Sequence, residues 1–166
     1  MTDVTTSASV PAGACEPAIG NVLLSETQIH DRLAELTAEI DAEYADRDLV
    51  LLGVVKGAMM VVADLARLLK HDRVEIDWIT VSSYGNNTSS SGVIRVLKEP
   101  DLELADRHEL VVDDITDSGL TLSWLVANLR SRAVASVEVF SLLRMPDLVK
   151  VDVPLRYLGF DIPPTS

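Results

Sequence analysis

One segment of the sequence, residues 109–122 (ELVVDDITDSGLTL), constrains the fold more than any other. Its apolar start, residues 110–112, predicts a short buried strand, and the apolar periodicity that begins at Leu122 predicts a helix. Between them lies a polar turn with three carboxylates and a glycine. A strand, a tight turn and a helix start direct backbone N–H groups and the positive end of the helix dipole at one point, which is an arrangement that binds anions.

Two kinds of side chain occupy this turn. Ser118 and Thr121 offer hydroxyls to phosphate oxygens, and Gly119 lets the backbone approach them closely. The carboxylates of Asp113 and Asp114 cannot bind phosphate directly, so they indicate sugar hydroxyls or a hard cation such as Mg²⁺. A solvated acidic turn is the simpler interpretation of an isolated Asp-Asp pair, but the complete order of strand, acids, Ser-Gly and helix favours a binding site.

Hydrophobic patterns along the rest of the chain predict alternating helices and strands. Ser25 and Gln28 have the spacing of a capping box, which predicts a helix from there to about Tyr44. The continuous apolar run at residues 49–55 is typical of a strand buried on both faces of a parallel sheet. Further strands are predicted at residues 74–82, 92–97, 136–143 and 157–162, and further helices up to residue 69 and at about 121–132.

The central segment resembles the phosphoribosyl pyrophosphate motif of the type I phosphoribosyltransferases, and the flanking sequence resembles their hypoxanthine-guanine branch. The resemblance extends from about residue 22 to residue 166. It implies an α/β fold with a doubly wound, mainly parallel sheet, helices on both faces and a flexible hairpin lid loop. It also implies a purine salvage enzyme that moves a 5-phosphoribosyl group from phosphoribosyl pyrophosphate to hypoxanthine or guanine, giving IMP or GMP and pyrophosphate.

The resemblance implies a role for each motif residue. Lys56 and Gly57, in the turn after the first strand, would bind pyrophosphate. Asp113 and Asp114 would hold the ribose hydroxyls and Mg²⁺, and Asp117 would be the catalytic base that accepts the purine N7 proton. The ribose-phosphate site would consist of Asp113, Asp114, Ile115, Thr116, Asp117, Ser118, Gly119, Leu120 and Thr121.

A polar loop over residues 83–91 (SYGNNTSSS) separates two predicted strands. Its Ser, Asn and Gly residues cannot bury enough apolar area to order the loop, so a slack hairpin connection is one interpretation. The pair Ser83-Tyr84 at its base matches the long loop of the family, which implies a lid that closes over the site and excludes water.

The sequence departs from the family pattern at three points. Asp113 stands where this branch usually has Glu, and Met145 stands at the position of the Lys that hydrogen-bonds the purine's exocyclic oxygen. The chain also stops at Ser166, before the family's last segment, so a C-terminal truncation is expected. These departures leave open a truncated or degenerate relative that binds phosphoribosyl pyrophosphate or nucleotide, or only assembles, without efficient turnover.

Charge and composition disfavour several other classes of protein. A formal net charge of −12 disfavours nucleic acid as a partner, and with it an RNA-binding regulator of similar fold. No apolar run is long enough for a membrane span, and the single cysteine, Cys15, excludes an intrachain disulfide, so a cytoplasmic protein is expected. We expect a disordered tail over residues 1–20, one domain over residues 21–166, and a homodimer or homotetramer.

Overall fold

The computed structural model describes residues 20–84 and 93–164. They form three α-helices, six strands and one 3-10 turn: α1 (Glu26–Glu43), β1 (Leu49–Val54), α2 (Met59–Leu68), β2 (Val74–Tyr84), β3 (Val93–Lys98), β4 (His108–Thr116), α3 (Leu120–Arg130), β5 (Ser136–Arg144), the 3-10 turn Pro146–Leu148, and β6 (Tyr157–Asp161). The predicted tail, apart from Gly20, residues 85–91 of the predicted lid loop and residue 92 of the following predicted strand lie outside the described residues. None of the helices in the described ranges is long and apolar enough to cross a bilayer.

The six strands form one sheet in the order β3-β2-β1-β4-β5-β6. All neighbours pair in parallel except β2 and β3, which form the predicted antiparallel hairpin. The chain builds outward from β1 in one direction with β2 and β3, and then in the other with β4, β5 and β6. The order therefore reverses between β1 and β4, which confirms the doubly wound, mainly parallel sheet, and ligands of such sheets bind at the carboxyl ends beside this switch point.

Helices cover both faces of the sheet, as predicted. On one face α1 and α2 pack together over the sheet, and the main buried residues of this layer are Leu33, Leu36, Ile40, Leu51, Leu65 and Leu110. On the other face lies α3, with buried Leu122, Leu125 and Leu129 against Val111, Val137 and Val139. Helices cover both faces of the central strand β1, so side chains on both of its faces are buried. This is why its sequence is a continuous apolar run and not an alternating pattern.

The first helix begins where the capping pattern predicts. The backbone N–H of Gln28 donates to Ser25 Oγ at 3.1 Å, and the backbone N–H of Ser25 donates to Gln28 Oε1 at 2.8 Å. These two bonds satisfy donors that have no partner inside the helix, so the capping box is confirmed. The helix ends one residue before Tyr44, whose ring is buried in the core.

The prediction for β4 was wrong at its carboxyl end. The strand was expected to end before Asp113, but it continues to Thr116, so both carboxylates lie on a strand and not in the turn. Pairing with β1 stops at Gly53–Val112, whereas pairing with β5 continues to Thr116–Arg144. The low strand propensity of Asp is thus overridden by ladder partners from one neighbouring strand.

One acid is buried in the core away from this end of the sheet. Glu109, near the start of β4, has no exposed surface, and neither of its carboxylate oxygens has a hydrogen-bond partner among the described residues. Burial raises the pKa of Glu109 to about 7, with a smaller contribution from Asp77, although Arg107 and Arg132 oppose the increase. An acid in this setting is neutral over a wide pH range, so Glu109 links the stability of the fold to pH.

Candidate active site at the β1–β4 crevice

The turn after β1 and the end of β4 meet at the switch point of the sheet. The peptide bond between Val55 and Lys56 is cis, and both Lys56 and Gly57 are exposed. A β-carbon built on Gly57 would lie 2.5 Å from each carboxylate oxygen of Asp114. The backbone of the predicted pyrophosphate turn therefore lies directly against one of the two predicted metal and ribose ligands, which sequence separation alone does not indicate.

The two strand carboxylates are half-buried and held by the backbone that follows them. Asp113 Oδ1 accepts the N–H of Asp114 at 3.1 Å, and Asp114 Oδ1 accepts the N–H of Ile115 at 2.9 Å. Burial raises the pKa of the Asp113 carboxyl above its usual range, and the neighbouring charges of Asp114 and Asp117 raise it further. The site thus concentrates negative charge that a cation or several ligand hydroxyls would stabilise.

The loop between β4 and α3 has the form of an anion cradle. The N–H of Ser118 donates to Asp117 Oδ1 at 2.5 Å, and the N–H of Leu120 lies 3.4 Å from Ser118 Oγ. Gly119 precedes the helix with a φ of 78°, which lies in the left-handed region that glycine adopts without strain. The start of α3 therefore directs its free amides toward the same end of the sheet as the two strand carboxylates.

The connection between β5 and β6 supports this loop from outside. The N–H groups of Lys150 and Val151 both donate to the carbonyl oxygen of Ser118 at 3.0 Å. A β-carbon on Gly119 would collide with the carbonyl oxygen of Val151, so a larger residue would separate the two segments. This support was not predicted, and no pattern in the sequence signals it, because the contact is between backbone atoms.

Met145 lies next to the acidic motif. It directly follows β5, its side chain is half-buried, and its N–H donates to the carbonyl oxygen of Thr116 at 2.9 Å. The neighbouring guanidinium of Arg144 is already paired, with Nε 2.7 Å from Asp161 Oδ1 and Nη2 3.0 Å from Asp161 Oδ2. Position 145 is therefore within one backbone hydrogen bond of the residue that precedes the predicted base, Asp117.

Thr116 differs from the other predicted ribose-phosphate residues. Its side chain is buried, and its hydroxyl donates to Ser141 Oγ at 2.8 Å, so that hydroxyl faces the sheet interior. A ligand in the cradle can thus meet only the backbone of Thr116. Ser141 was not predicted from the sequence, although a serine between Phe140 and Leu142 in the buried part of β5 is a signal that its hydroxyl has a partner.

Of the predicted lid residues, the structure describes Ser83 and the backbone of Tyr84. Ser83 is exposed near the end of β2, and these two residues pair with Ile94 and Val93 at the start of β3. The remainder of the predicted lid, residues 85–91, is not among the described residues. The role of the lid stays a prediction.

Within residues 20–84 and 93–164, no three His, Cys, Asp or Glu side chains converge as a ready-made metal site. Mg²⁺ is commonly bound by one or two carboxylates together with substrate phosphates and water, so a closed protein cage is not required. Asp113 and Asp114 fit that donor set, because both are carboxylates at the carboxyl end of one strand beside the anion cradle.

Comparisons with known proteins agree with this geometry. The family model for the phosphoribosyl transferase domain matches residues 23–162. The hypoxanthine-guanine phosphoribosyltransferase of Mycobacterium tuberculosis H37Rv is 47% identical over 151 residues, covering 87% of this chain and 74% of that protein. The protein of the same name from Bacillus subtilis is 42% identical over 147 residues, covering 87% of this chain and 80% of that protein.

Solved structures give the same result. A hypoxanthine-guanine phosphoribosyltransferase from Bacillus anthracis superposes with a TM-score of 0.82 and 37% identity, covering 87% of this chain and 85% of that one. A Trypanosoma cruzi hypoxanthine phosphoribosyltransferase, solved to study how its C-terminal region affects oligomeric state and activity, has a TM-score of 0.80 and 33% identity, covering 87% of this chain and 78% of that one. The chain therefore belongs to the type I phosphoribosyltransferase family, in its hypoxanthine-guanine branch.

Proposed function

We propose that this protein is a purine salvage transferase that moves a 5-phosphoribosyl group from phosphoribosyl pyrophosphate to hypoxanthine or guanine. The observation that carries the proposal is the contact of the Gly57 backbone with the Asp114 carboxylate, beside the anion cradle at residues 117–121. The reaction needs one group of residues for a departing pyrophosphate and another for a ribose 5-phosphate. Two anion-binding turns with ribose-binding carboxylates between them meet that need.

The chemical step makes two electrostatic demands. As the bond between C1 of ribose and pyrophosphate breaks, the ribose gains oxocarbenium character and the pyrophosphate gains negative charge. The half-buried carboxylates of Asp113 and Asp114 hold the ribose hydroxyls and face the developing positive charge. Lys56 and the Gly57 backbone accept the departing pyrophosphate, and Lys56 is exposed where a polyanion can reach it.

The other half of the site holds the 5′-phosphate and the base. The backbone amides of Gly119, Leu120 and Thr121 and the hydroxyls of Ser118 and Thr121 bind the 5′-phosphate at the start of α3. Asp117 accepts the N7 proton as the purine attacks through N9, and its carboxylate is exposed at the edge of this loop. The hydrogen bond from the Ser118 N–H orients that carboxylate before the purine arrives.

We propose Mg²⁺ as the cofactor, held by Asp113 and Asp114 together with the substrate. When bound, this ion neutralises and orients the pyrophosphate. The crowding of Asp113, Asp114 and Asp117 supports the proposal, because the carboxylates would otherwise repel a polyanionic substrate. Calorimetry with phosphoribosyl pyrophosphate should show strong binding with Mg²⁺ and weak binding with a chelator, and unchanged affinity would remove the metal role of both residues.

Turnover is the direct test of the function. Purified protein is incubated with phosphoribosyl pyrophosphate, Mg²⁺ and each of hypoxanthine, guanine and adenine, and the nucleotide and pyrophosphate formed are measured. We expect hypoxanthine to give IMP and guanine to give GMP, each with one pyrophosphate released per nucleotide. Adenine should give little product. Binding of phosphoribosyl pyrophosphate without any nucleotide formation would instead identify a relative that binds the substrate but does not turn it over.

The proposal also covers the oligomeric state of the protein, its location in the cell and its partners. We propose a homodimer or homotetramer in the cytoplasm, with small-molecule substrates and neither nucleic acid nor membrane as a partner. The net charge of −12 supports the exclusion of nucleic acid. Light scattering coupled to size-exclusion chromatography measures the mass of the assembly, and a monomer that retains full activity would contradict the proposed oligomer.

A further inference from the structure

A buried pair of hydroxyls connects the acidic strand to its neighbour beneath the site. Thr116 on β4 is 5% exposed and Ser141 on β5 is 0% exposed. Thr116 Oγ1 donates to Ser141 Oγ at 2.8 Å, and Ser141 Oγ donates in turn to the carbonyl oxygen of Leu143 at 2.7 Å. These two hydrogen bonds form a short chain that runs from the end of β4 into β5.

The backbone of Thr116 makes a second connection to β5. Its carbonyl oxygen accepts the N–H of Met145, so one residue is held to β5 through both its side chain and its main chain. Thr116 directly precedes Asp117, and Met145 directly follows the last residue of β5. The pair of connections therefore sets where Asp117 lies relative to Met145.

We propose that Thr116 and Ser141 are positioning residues for catalysis: their hydrogen bond fixes Asp117 at the reacting purine. The inference rests on the proposed function, since it gives Asp117 its role as base. Neither hydroxyl touches a substrate, because both are buried. Their effect on the reaction passes through the backbone of residues 116 and 117.

The phosphate cradle has an anchor of its own. Lys150 and Val151 hold the carbonyl oxygen of Ser118, and Gly119 packs against Val151. These contacts do not involve Thr116 or Ser141. Loss of the hydroxyl pair should thus release the Asp117 end of the loop while the cradle keeps its place, which predicts a loss of rate without an equal loss of phosphoribosyl pyrophosphate binding.

A hydroxyl pair suits this task better than two apolar side chains. Apolar contacts are tolerant of small displacements, whereas a hydrogen bond of 2.8 Å fixes distance and direction. A catalytic base misplaced by about 1 Å can cost on the order of a hundredfold in rate. A small displacement of Asp117 should therefore be visible in kcat even where the fold remains intact.

The test compares two isosteric substitutions of buried threonines. Thr116→Val removes the hydroxyl of the proposed pair, and Thr37→Val removes a hydroxyl that is buried in α1 and donates to the carbonyl oxygens of Leu33 and Ala34. We expect Thr116→Val to lower kcat about ten- to a hundredfold, with the dissociation constant of phosphoribosyl pyrophosphate close to the wild-type value. Thr37→Val should lower the melting temperature without lowering kcat.

Two further variants separate positioning from folding. Thr116→Ser keeps the hydroxyl and should restore most of the rate that Thr116→Val loses. Ser141→Ala removes the acceptor on the other strand, so it should lower kcat as Thr116→Val does, and the double variant should lose little more than either single one. Should Thr116→Val fail to fold, Ser141→Ala tests the same hydrogen bond, because it removes the acceptor instead of the donor.

The outcomes distinguish this inference from the proposed function. If the wild-type protein forms no nucleotide, the proposed function is wrong. Suppose instead that the wild-type protein forms nucleotide while Thr116→Val and Ser141→Ala both have the same kcat as the control variant Thr37→Val. In that case the positioning role is wrong and the pair is only structural. Equal losses in kcat and in phosphoribosyl pyrophosphate affinity would also overturn it, because the whole loop would then have moved.

Discussion

The backbone of Gly57 and the carboxylate of Asp114 are in direct contact, although Gly57 lies in the turn after β1 and Asp114 lies near the end of β4. A β-carbon at position 57 would stand 2.5 Å from both oxygens of that carboxylate and 2.6 Å from its carbon. Real β-carbons do not approach other atoms this closely, so any larger residue must displace the carboxylate. The contact joins the turn proposed to hold pyrophosphate to a residue proposed to hold ribose and Mg²⁺.

Gly57→Ala should therefore lower kcat/KM without unfolding the protein. The displaced Asp114 carboxylate loses its hydrogen bond from the Ile115 N–H, and we expect a reduction on the order of tenfold or more. Steady-state kinetics with varied phosphoribosyl pyrophosphate measures the effect. Gly20→Ala is the matched control, since a β-carbon there meets no atom of the described residues within 4 Å. If both variants behave alike, the contact has no part in the reaction.

Asp117→Asn should slow turnover far more than it weakens substrate binding. The amide keeps an oxygen that can accept the Ser118 N–H, but it cannot take the N7 proton. General bases of this kind contribute about 10²–10⁴ in rate. Single-turnover kinetics and calorimetry on the same preparation separate the two effects, and equal losses in both would make Asp117 a ligand-holding residue.

Met145→Lys should raise kcat/KM for hypoxanthine and guanine at least about tenfold, because a thioether cannot donate to a 6-oxo group and an unpaired buried oxygen is costly. Arg144 does not replace this donor, since Asp161 holds its guanidinium through two bonds. Adenine should gain nothing, and Met145→Leu should leave all three purines unchanged as an apolar control. An equal response of the three purines would show that position 145 does not recognise the 6-substituent.

Glu109→Gln should change how stability depends on pH. The folded state raises the pKa of Glu109 from 4.5 to about 7, so folding favours the protonated form. The protonated Glu109 carboxyl therefore makes its full contribution to the stability of the folded state below about pH 4.5, and this contribution is lost as pH rises to about 7. That difference corresponds to roughly 3 kcal/mol in the free energy of unfolding. Gln carries no charge, so its own burial cost is the same at every pH.

Denaturant titrations at pH 5 and pH 8 measure this effect. The free energy of unfolding of Glu109→Gln minus that of the wild type should be about 2–3 kcal/mol larger at pH 8 than at pH 5, so the variant is relatively more stable at pH 8. Glu103→Gln, at an exposed position on the connection between β3 and β4, serves as the control. A parallel pH dependence in wild type and Glu109→Gln would mean that this carboxylate finds a partner or water in solution.

Local sequence patterns were sufficient for most of the secondary structure. The capping residues Ser25 and Gln28 marked the start of α1, and the apolar run of β1 marked a buried strand, because both depend on neighbours along the chain. The end of β4 was not predictable in this way. Asp113 and Asp114 disfavour a strand locally, and only pairing with β5 extends β4 through them.

The sequence by itself determined the kinds of chemistry available at the site: a lysine and a glycine after one apolar segment, carboxylates and small hydroxyl residues after another, and a thioether at position 145. The tertiary structure decided which of them meet. Strand order brings Gly57 against Asp114, and Lys150 and Val151 against Ser118. It also turns Thr116 inward to Ser141 and away from the ligand. Contacts between strands depend on the order and register of the sheet, and the same apolar runs are compatible with many orders, so only the assembled fold selects one.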